Sequence, residues 1–256
     1  MLMDFFWGWV AAMGLMTAVW AASVWRQDAS LVDRFWGIGF LWVALLWWWL
    51  AGLPGQAWII LLPVALWAVR LSLYITWRNW GHGEDGRYTD MRADLTPRAF
   101  ARRSLVMIFW LQATLMAVIA LPLLAGVQDT AVIWPWVIAG WLVWGVGWLY
   151  ESIADAQLMR FKSQGHPPGT ILDQGLWRYS RHPNYFGEIL VWVGYGLIAL
   201  GVGGWWALPS VVLMIVLIIR VSGVSLLDQR MQTQRPAYAD YMRRTSALIP
   251  WRPSER

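Results

Sequence analysis

Seven long apolar runs divide the sequence, and they restrict the possible folds more than any other feature. Each run has about the 20 residues that an α-helix needs to cross the hydrocarbon core of a bilayer. The runs cover residues 5–24, 35–53, 57–77, 104–126, 131–150, 186–203 and 205–223. They predict an all-α integral membrane protein with seven transmembrane helices.

The composition agrees with this class and excludes several others. Hydrophobic residues make up 59% of the chain and charged residues 14%, which is too apolar for an ordinary soluble domain. Because the sequence has no cysteine, disulfides, thiolate metal sites and cysteine nucleophiles are excluded, and we predict no metal site. The first apolar run lacks a basic n-region and a small-residue cleavage site, so we expect a retained span.

The connections between the runs predict the topology. The short connections AGLPGQ, GVQDTA and GVGGW carry no Lys or Arg, whereas the other connections are basic. Under the positive-inside rule the N-terminus lies outside and the C-terminus in the cytoplasm. We expect one membrane domain over residues 1–256, with cytoplasmic segments 77–103, 160–185 and 224–256 capping a site. The net charge of +5 follows this topology and forms no nucleic-acid-binding patch, so we expect no nucleic acid partner.

The first polar segment is WRNWGHGEDGRYTDMR, residues 77–92. It is either a solvated loop or a loop in which Arg87, Tyr88 and Arg92 close over an anionic ligand. Its glycines would allow backbone amides to approach a phosphate.

The second polar segment, YESIADAQLMRFK, continues the fifth apolar run beyond the expected end of the membrane. Helical spacing places Glu151, Asp155 and Leu158 on one face, with Lys162 one turn further. Asp155 either pairs with a nearby arginine or accepts hydrogen bonds from the hydroxyls of a ribose.

The third polar segment, GLWRYSRHPNYFGE, leads into the sixth run. Pro183 suits the first turn of a helix, which places Asn184 and Glu188 on one face. Arg181 and His182 would then lie beside the positive end of the helix dipole, where a phosphate can bind. Alternatively, the arginines are membrane anchors and His182 is a cap.

Several of these motifs resemble a known family. RYSRHPNYFGE and RPAYADYMRRTSALIPW, which ends at Trp251, resemble the C-terminal region of the steroid 5-alpha-reductase family. ESIADAQLMRFK and GHGEDGRY resemble its bacterial, DUF1295-like branch, so the resemblance extends from roughly residue 70 to residue 251. Similar motifs occur in sterol delta-14 reductases and isoprenylcysteine carboxyl methyltransferases, and they therefore indicate a superfamily more firmly than a reaction.

The resemblance implies a reductase of the bacterial inner membrane whose cofactor site faces the cytoplasm. NADPH would deliver a hydride to the conjugated C=C bond of a 3-oxo-4-ene steroid or a similar lipophilic enone. The catalytic residues would be Asp33 and Tyr74, bonded to the substrate carbonyl. The cofactor-binding residues that the resemblance implies are Arg87, Arg92, Glu151, Asp155, Leu158, Lys162, Tyr179, Arg181, His182, Asn184, Glu188, Arg235, Tyr238 and Tyr241.

Two other functions remain open at this point. A membrane methyltransferase of the isoprenylcysteine carboxyl methyltransferase type would bind S-adenosylmethionine with the same C-terminal region. In those enzymes an Arg-Glu pair is expected before the closing tyrosines, but this chain has LLDQRMQTQR, with Asp228 and no Glu. A lipid-binding or scaffold protein would leave the intramembrane polar residues unexplained. Membrane lipids and a lipophilic small molecule are the expected partners.

Overall fold

The computed structural model of the 256-residue chain describes residues 1–81, 83–167, 169–221, 223–235 and 237–254. These residues form helices and connecting segments and contain no β-strand. Parts of the predicted capping segments, namely His82, Pro168, Pro236 and residues 255–256, lie outside the described residues. The α-helices are α1 (Leu2–Arg26), α2 (Leu31–Leu50), α3 (Trp58–Arg78), α4 (Gly86–Arg92), α5 (Pro97–Ser104), α6 (Leu111–Ile119), α7 (Leu121–Gly126), α8 (Trp134–Ser163), α9 (Pro183–Gly201), α10 (Leu208–Val216), α11 (Val224–Gln234) and α12 (Tyr238–Arg244).

Six helical stretches in the described part of the chain are long and apolar enough to cross a membrane. They are Leu2–Arg26, Leu31–Leu50, Gly55–Arg78, Pro97–Ile119, Trp134–Ser163 and Trp205–Thr233. The prediction of an all-α integral membrane protein is therefore confirmed, but the count of seven spans is not. The sixth predicted run forms α9, which is absent from the six. Its polar first turns and repeated glycines lower its mean hydropathy. The orientation of the termini stays a prediction.

The described residues group into two compact units. The first unit comprises Met1–Val132 and Val202–Ser210, and the second comprises Ile133–Gly201 and Val211–Arg256. Each unit carries one of the polar clusters described below.

In the first unit, α2 packs against both α1 and α3. Gly8 of α1 lies against the indole of Trp47, whose Nε1 donates a hydrogen bond to the Asp4 carbonyl oxygen at 2.6 Å. Gly37 of α2 lies against the backbone of α3, and the next amide, that of Ile38, donates to Ser72 Oγ at 3.2 Å. A glycine on α1 and another on α2 therefore allow α2 to pack closely against both of its neighbours.

The second unit is built on the antiparallel pair α8 and α9, whose contact is the most extensive between any two helices. The two helices touch through glycines seven residues apart: Gly140 and Gly147 on α8, Gly194 and Gly187 on α9. A Cβ on Gly147 would lie 2.6 Å from the Gly187 carbonyl oxygen, so no larger residue fits without separating the helices. With 30 residues, α8 is about 45 Å long and extends beyond a bilayer core of about 30 Å.

Candidate functional site

Two carboxylates on α8 are buried where α8 meets the first turns of α9. Glu151 and Asp155 are each 3% exposed, and Asn184 Nδ2 donates a hydrogen bond to Asp155 Oδ1 at 3.4 Å. The close approach at Gly187, where a Cβ would lie 2.5 Å from the Glu151 nitrogen, brings these side chains together. Buried carboxylates are costly unless polar groups surround them, so this pair of helices carries a polar site within an apolar unit.

Other residues that the resemblance implied on these two helices are more accessible. Leu158 and Glu188 are half-buried, and Lys162 is exposed near the C-terminal end of α8. Tyr179, which precedes α9, is exposed as well. The structure thus places Asp155 and Asn184 in contact and leaves Lys162 and Tyr179 at the surface of this unit.

The segment before α9 is held by a buried network centred on Asp228. Its Oδ1 accepts hydrogen bonds from Tyr238 OH at 2.6 Å and from Arg181 Nε at 3.3 Å, and lies 2.8 Å from His182 Nε2. Its Oδ2 accepts from Arg181 Nη2 at 2.6 Å. Arg181 and His182, which we predicted to bind a phosphate, therefore bind a carboxylate of α11 in this structure.

Main-chain groups of the C-terminal segment complete the coordination of Arg181. Its Nη1 donates to the carbonyl oxygens of Met242 at 3.1 Å and Thr245 at 2.7 Å. The neighbouring Ser180 Oγ donates to the Leu248 carbonyl oxygen at 2.8 Å. Ser180, Arg181 and His182 therefore all bind partners between residues 228 and 248. These contacts fix the point at which α9 begins.

The tyrosines of α12 also contribute to this attachment. Tyr241 OH donates to the carbonyl oxygens of Trp177 and Ser180. Burial, followed by the bond to Asp228, raises the pKa of Tyr238 well above its ordinary value, and burial raises that of Tyr241. Both side chains are therefore neutral hydrogen-bond donors. The third predicted wall residue, Arg235, donates from Nη1 to the Thr170 carbonyl oxygen at 2.9 Å.

Our interpretation of the sequence missed the role of Asp228, which we noted only as a departure from the methyltransferase pattern. A signal for it exists. Arg181 and His182 stand beside a helix start, and buried positive groups need a counter-charge. Between residues 174 and 250 the acids are Glu188, Asp228 and Asp240, so there were few candidates.

The first unit carries a second polar cluster around Asp33. Arg87 Nη2 donates to Asp33 Oδ2 at 2.8 Å, and Tyr88 OH donates to Asp33 Oδ1 at 3.0 Å. Asp85 caps α4 by accepting from the Arg87 amide at 2.9 Å. Arg92 binds Glu84 through two nitrogens, at 3.0 and 2.8 Å. The loop that we predicted to close over an anion is thus attached to the start of α2.

Charges within this cluster shift the pKa values of its members. Burial alone would raise the pKa of Asp85, but the hydrogen bonds and charge of Arg87 lower it below the ordinary value. Burial alone would lower the pKa of Arg87, whereas Asp33 and Asp85 raise it. Burial and the Asp33 carboxylate raise the pKa of Tyr88. Tyr88 is therefore a neutral donor beside a fixed guanidinium.

Tyr74, the predicted donor to a carbonyl, lies on α3. The guanidinium groups of Arg70 and Arg78 lie 5.4 and 5.6 Å from its ring centroid. Its hydroxyl oxygen is buried, although the side chain as a whole is only half-buried. Asp33, the other predicted catalytic residue, accepts hydrogen bonds from Arg87 and Tyr88.

Two open cavities flank the segment Asp173–Gly175 in the second unit. The larger, about 510 Å³, lies along Gln157, Arg160 and Phe161 of α8. The other, about 470 Å³, lies against α12. Both are accessible from solvent and are large enough for a polar small molecule.

The fold and the buried polar groups define an all-helical integral membrane protein with a carboxylate and amide site inside a glycine-packed helix pair. The chain belongs to the family described as "Protein of unknown function (DUF1295)", which matches residues 19–245.

One curated protein is similar over part of the chain. The 3-oxo-5-alpha-steroid 4-dehydrogenase 1 of Bos taurus is 32% identical over 71 residues, which is 28% of this chain and 28% of the bovine protein. The matched part therefore covers less than a third of that relative. No solved structure matches the chain.

Proposed function

We propose that this protein is an NADPH-dependent membrane reductase that saturates the conjugated C=C bond of a lipophilic enone, such as a 3-oxo-4-ene steroid. Membership of the family and the partial similarity to a bovine 3-oxo-5-alpha-steroid 4-dehydrogenase support a reductase. The proposed setting is the bacterial inner membrane, with the cofactor site facing the cytoplasm.

The observation that carries this proposal is the partly buried contact between Asp155 and Asn184. The Asp155 carboxylate is buried in an apolar helix pair next to Glu151, the Asn184 amide is half-buried, and polar groups placed within a membrane protein in this way are usually functional. Asp155 and Asn184 together offer acceptors for hydroxyl groups and both a donor and an acceptor for a carboxamide. These are the groups that a nicotinamide nucleotide presents.

The residues of the second unit fit such a nucleotide in their chemistry. Asp155 and Glu151 would accept hydrogen bonds from ribose hydroxyls, and Asn184 and Glu188 would orient the nicotinamide. Lys162 and Arg235, with Leu158 and Tyr179, would serve the adenosine and phosphate end. When bound, the nucleotide supplies the hydride.

The Asp228 network and the hydrogen bonds of Tyr241 give Arg181, His182, Tyr238 and Tyr241 a positioning role in this proposal. The hydrogen bonds of these four residues hold the start of α9, and they therefore fix the backbone that carries Asn184. A displacement of about 1 Å in a residue that orients a cofactor is enough to reduce turnover strongly.

The first unit would supply the groups that polarise the substrate. Addition of hydride to the β-carbon of an enone places negative charge on the carbonyl oxygen, which a fixed hydrogen-bond donor stabilises. Tyr74 is the proposed donor, and Asp33 is the second residue proposed to act on the carbonyl. Arg87 and Tyr88 hold Asp33 in one orientation.

A ligand-binding comparison tests this proposal. Purified wild-type protein is titrated with NADPH and with S-adenosylmethionine, since the sequence leaves a methyltransferase open. Asp155→Asn should weaken NADPH binding by roughly 5- to 150-fold, which corresponds to one buried polar interaction of about 1–3 kcal/mol. Asp240→Asn, at an exposed acid of the same unit, is the matched control and should bind as the wild type does.

The reaction itself is tested with progesterone and NADPH, measured as loss of the enone absorbance and gain of two hydrogens in the product mass. Saturation of the C=C bond supports the proposal. Binding of S-adenosylmethionine in place of NADPH would overturn it in favour of the methyltransferase. If NADPH binds and no steroid is reduced, the substrate class is wrong while the reductase assignment stands.

A further inference from the structure

The second unit contains a basic cavity that the proposed function leaves unused. It has a volume of about 470 Å³ and is bounded by Asp173, Gly175, Arg178, Tyr241, Arg244 and Ser254. The wall is formed by the turn Gly175–Arg178, by α12 and by the tail that follows α12. The cavity is therefore made by segments at one end of the unit, outside the contact between Asp155 and Asn184.

The cavity carries an excess of positive charge. Arg178 is exposed and has no ionic partner among the described residues. Arg244 lies 3.8 Å from Asp173, and both side chains are about half exposed, so their ion pair is long and weak. Two guanidinium groups thus face one carboxylate, which favours an anion. Arginine binds the oxygens of a phosphate through two parallel hydrogen bonds.

The tail beside this cavity exposes two large apolar side chains although its backbone is fixed. The Trp251 amide donates to the Tyr179 carbonyl oxygen at 2.9 Å, and the Ser254 amide donates to the Arg244 carbonyl oxygen at 2.9 Å. Even so, Ile249 is 65% exposed and Trp251 is 74% exposed. Exposed tryptophan and isoleucine next to arginine are typical of a segment at a bilayer surface.

We infer that this cavity binds the phosphate headgroup of an anionic phospholipid, and that Ile249 and Trp251 contact the adjoining acyl region. Phosphate chemistry explains the arginine pair, and the fixed apolar tail explains why a lipid fits better than a soluble phosphate. The occupant is thus a lipid at the membrane surface, and the inference does not depend on the reductase activity.

Native mass spectrometry of the detergent-solubilised protein tests the inference, with short-chain phosphatidylglycerol and phosphatidylcholine as probes. Wild-type protein should retain phosphatidylglycerol in preference to phosphatidylcholine. Arg244→Gln and Arg178→Gln should each weaken that binding by about tenfold, the effect of one charge-assisted contact. Arg243→Gln is the matched control, because Arg243 neighbours Arg244 but pairs with Asp240 and does not line the cavity. If the three variants bind phosphatidylglycerol equally, the inference is wrong.

Further arms of the experiment separate a lipid from a soluble phosphate. Trp251→Ala should weaken phosphatidylglycerol binding, whereas inorganic phosphate and 2′,5′-ADP should fail to displace the lipid from the wild type. If either compound displaces the lipid from the wild type but not from Arg244→Gln, the cavity binds a soluble phosphate and the lipid assignment is wrong. Equal melting temperatures of the variants and the wild type in phosphatidylcholine establish that the variants are folded. Arg178→Gln and Arg244→Gln test the cavity independently of each other.

Discussion

The Asp228 carboxylate binds the Arg181 guanidinium through both oxygens, with Oδ1 at 3.3 Å from Nε and Oδ2 at 2.6 Å from Nη2. The two residues are 47 positions apart in the sequence and both are buried. This ion pair connects the segment just before α9 to α11. Much of the organisation of the candidate site therefore depends on one long-range contact.

Asp228→Asn should destabilise the protein strongly. The substitution leaves the buried Arg181 without its counter-charge, and removal of one partner of a buried pair costs about 3–5 kcal/mol. The melting temperature in detergent measures this loss. Asp240→Asn removes an exposed acid paired with Arg243 and should leave the melting temperature nearly unchanged. Equal melting temperatures for both variants would show that the Asp228 network contributes little.

Gly147→Ala should separate α8 from α9. The new Cβ would lie 2.6 Å from the Gly187 carbonyl oxygen and 2.7 Å from both the Leu190 Cβ and the Val191 nitrogen, and none of these atoms can rotate away. Gly145 lies on the same helix with nothing within 4 Å of its hypothetical Cβ. Gly145→Ala should therefore be neutral or slightly stabilising, since alanine favours a helix. Melting temperatures of the two variants in one detergent check the contrast, and a stable Gly147→Ala protein contradicts it.

Asn184→Ala should lower the affinity for NADPH by roughly tenfold or more, because one hydrogen-bonding group that contacts a bound polar ligand contributes about 1–3 kcal/mol. Asn79→Ala, at the end of α3 in the other unit, is the matched control. Equilibrium titration with NADPH measures both proteins. Wild-type affinity in Asn184→Ala would remove this residue from the proposed cofactor site.

Tyr74→Phe should separate chemistry from binding. The phenylalanine keeps the ring but lacks the hydroxyl that would stabilise the developing enolate, and loss of one such donor costs about 10² to 10³ in turnover. NADPH affinity should be unchanged. Progesterone reduction by Tyr74→Phe is compared with that by Tyr150→Phe, whose ring packs edge-on against Phe186. A wild-type rate in Tyr74→Phe would make Tyr74 a packing residue and direct the search to Asp33.

Reporter fusions test the predicted topology. A reporter at Gly55 or Gln128 should be external, and one after the last residue should be cytoplasmic, because the short connections lack Lys and Arg. Gly55 precedes α3, and Gln128 follows α7. A cytoplasmic signal at Gln128 contradicts the scheme.

Local features of the sequence predicted much of the fold. The prediction that the fifth run continues as a helix is confirmed by α8, which ends at Ser163, and the placement of Pro183 in a first turn is confirmed by α9. The contact between Asp155 and Asn184 agrees with the faces derived from helical spacing. These features depend on neighbours in sequence, which patterns report well.

Other features could not be derived from local pattern. The run 104–126 forms no single regular helix: α6 ends at Ile119 and α7 starts at Leu121, where Pro122 cannot continue the hydrogen-bonding pattern. The short helix α4 was missed, although Asp85 is a typical N-cap residue. The pairing of Asp228 with Arg181 depends on how distant helices pack, and no spacing within either segment specifies it.

The attachment of Arg181 also has a consequence for how the chain is made. Its acidic partner lies 47 residues later, and the main-chain acceptors of its Nη1 lie 61 and 64 residues later. A ribosome that has already released α8 and α9 into the translocation machinery has yet to synthesise those partners. The start of α9 therefore stays unsecured during translation and reaches its final geometry only when the residues from 228 onward have emerged. Premature stop codons after α10 should yield inserted proteins that membrane proteases remove.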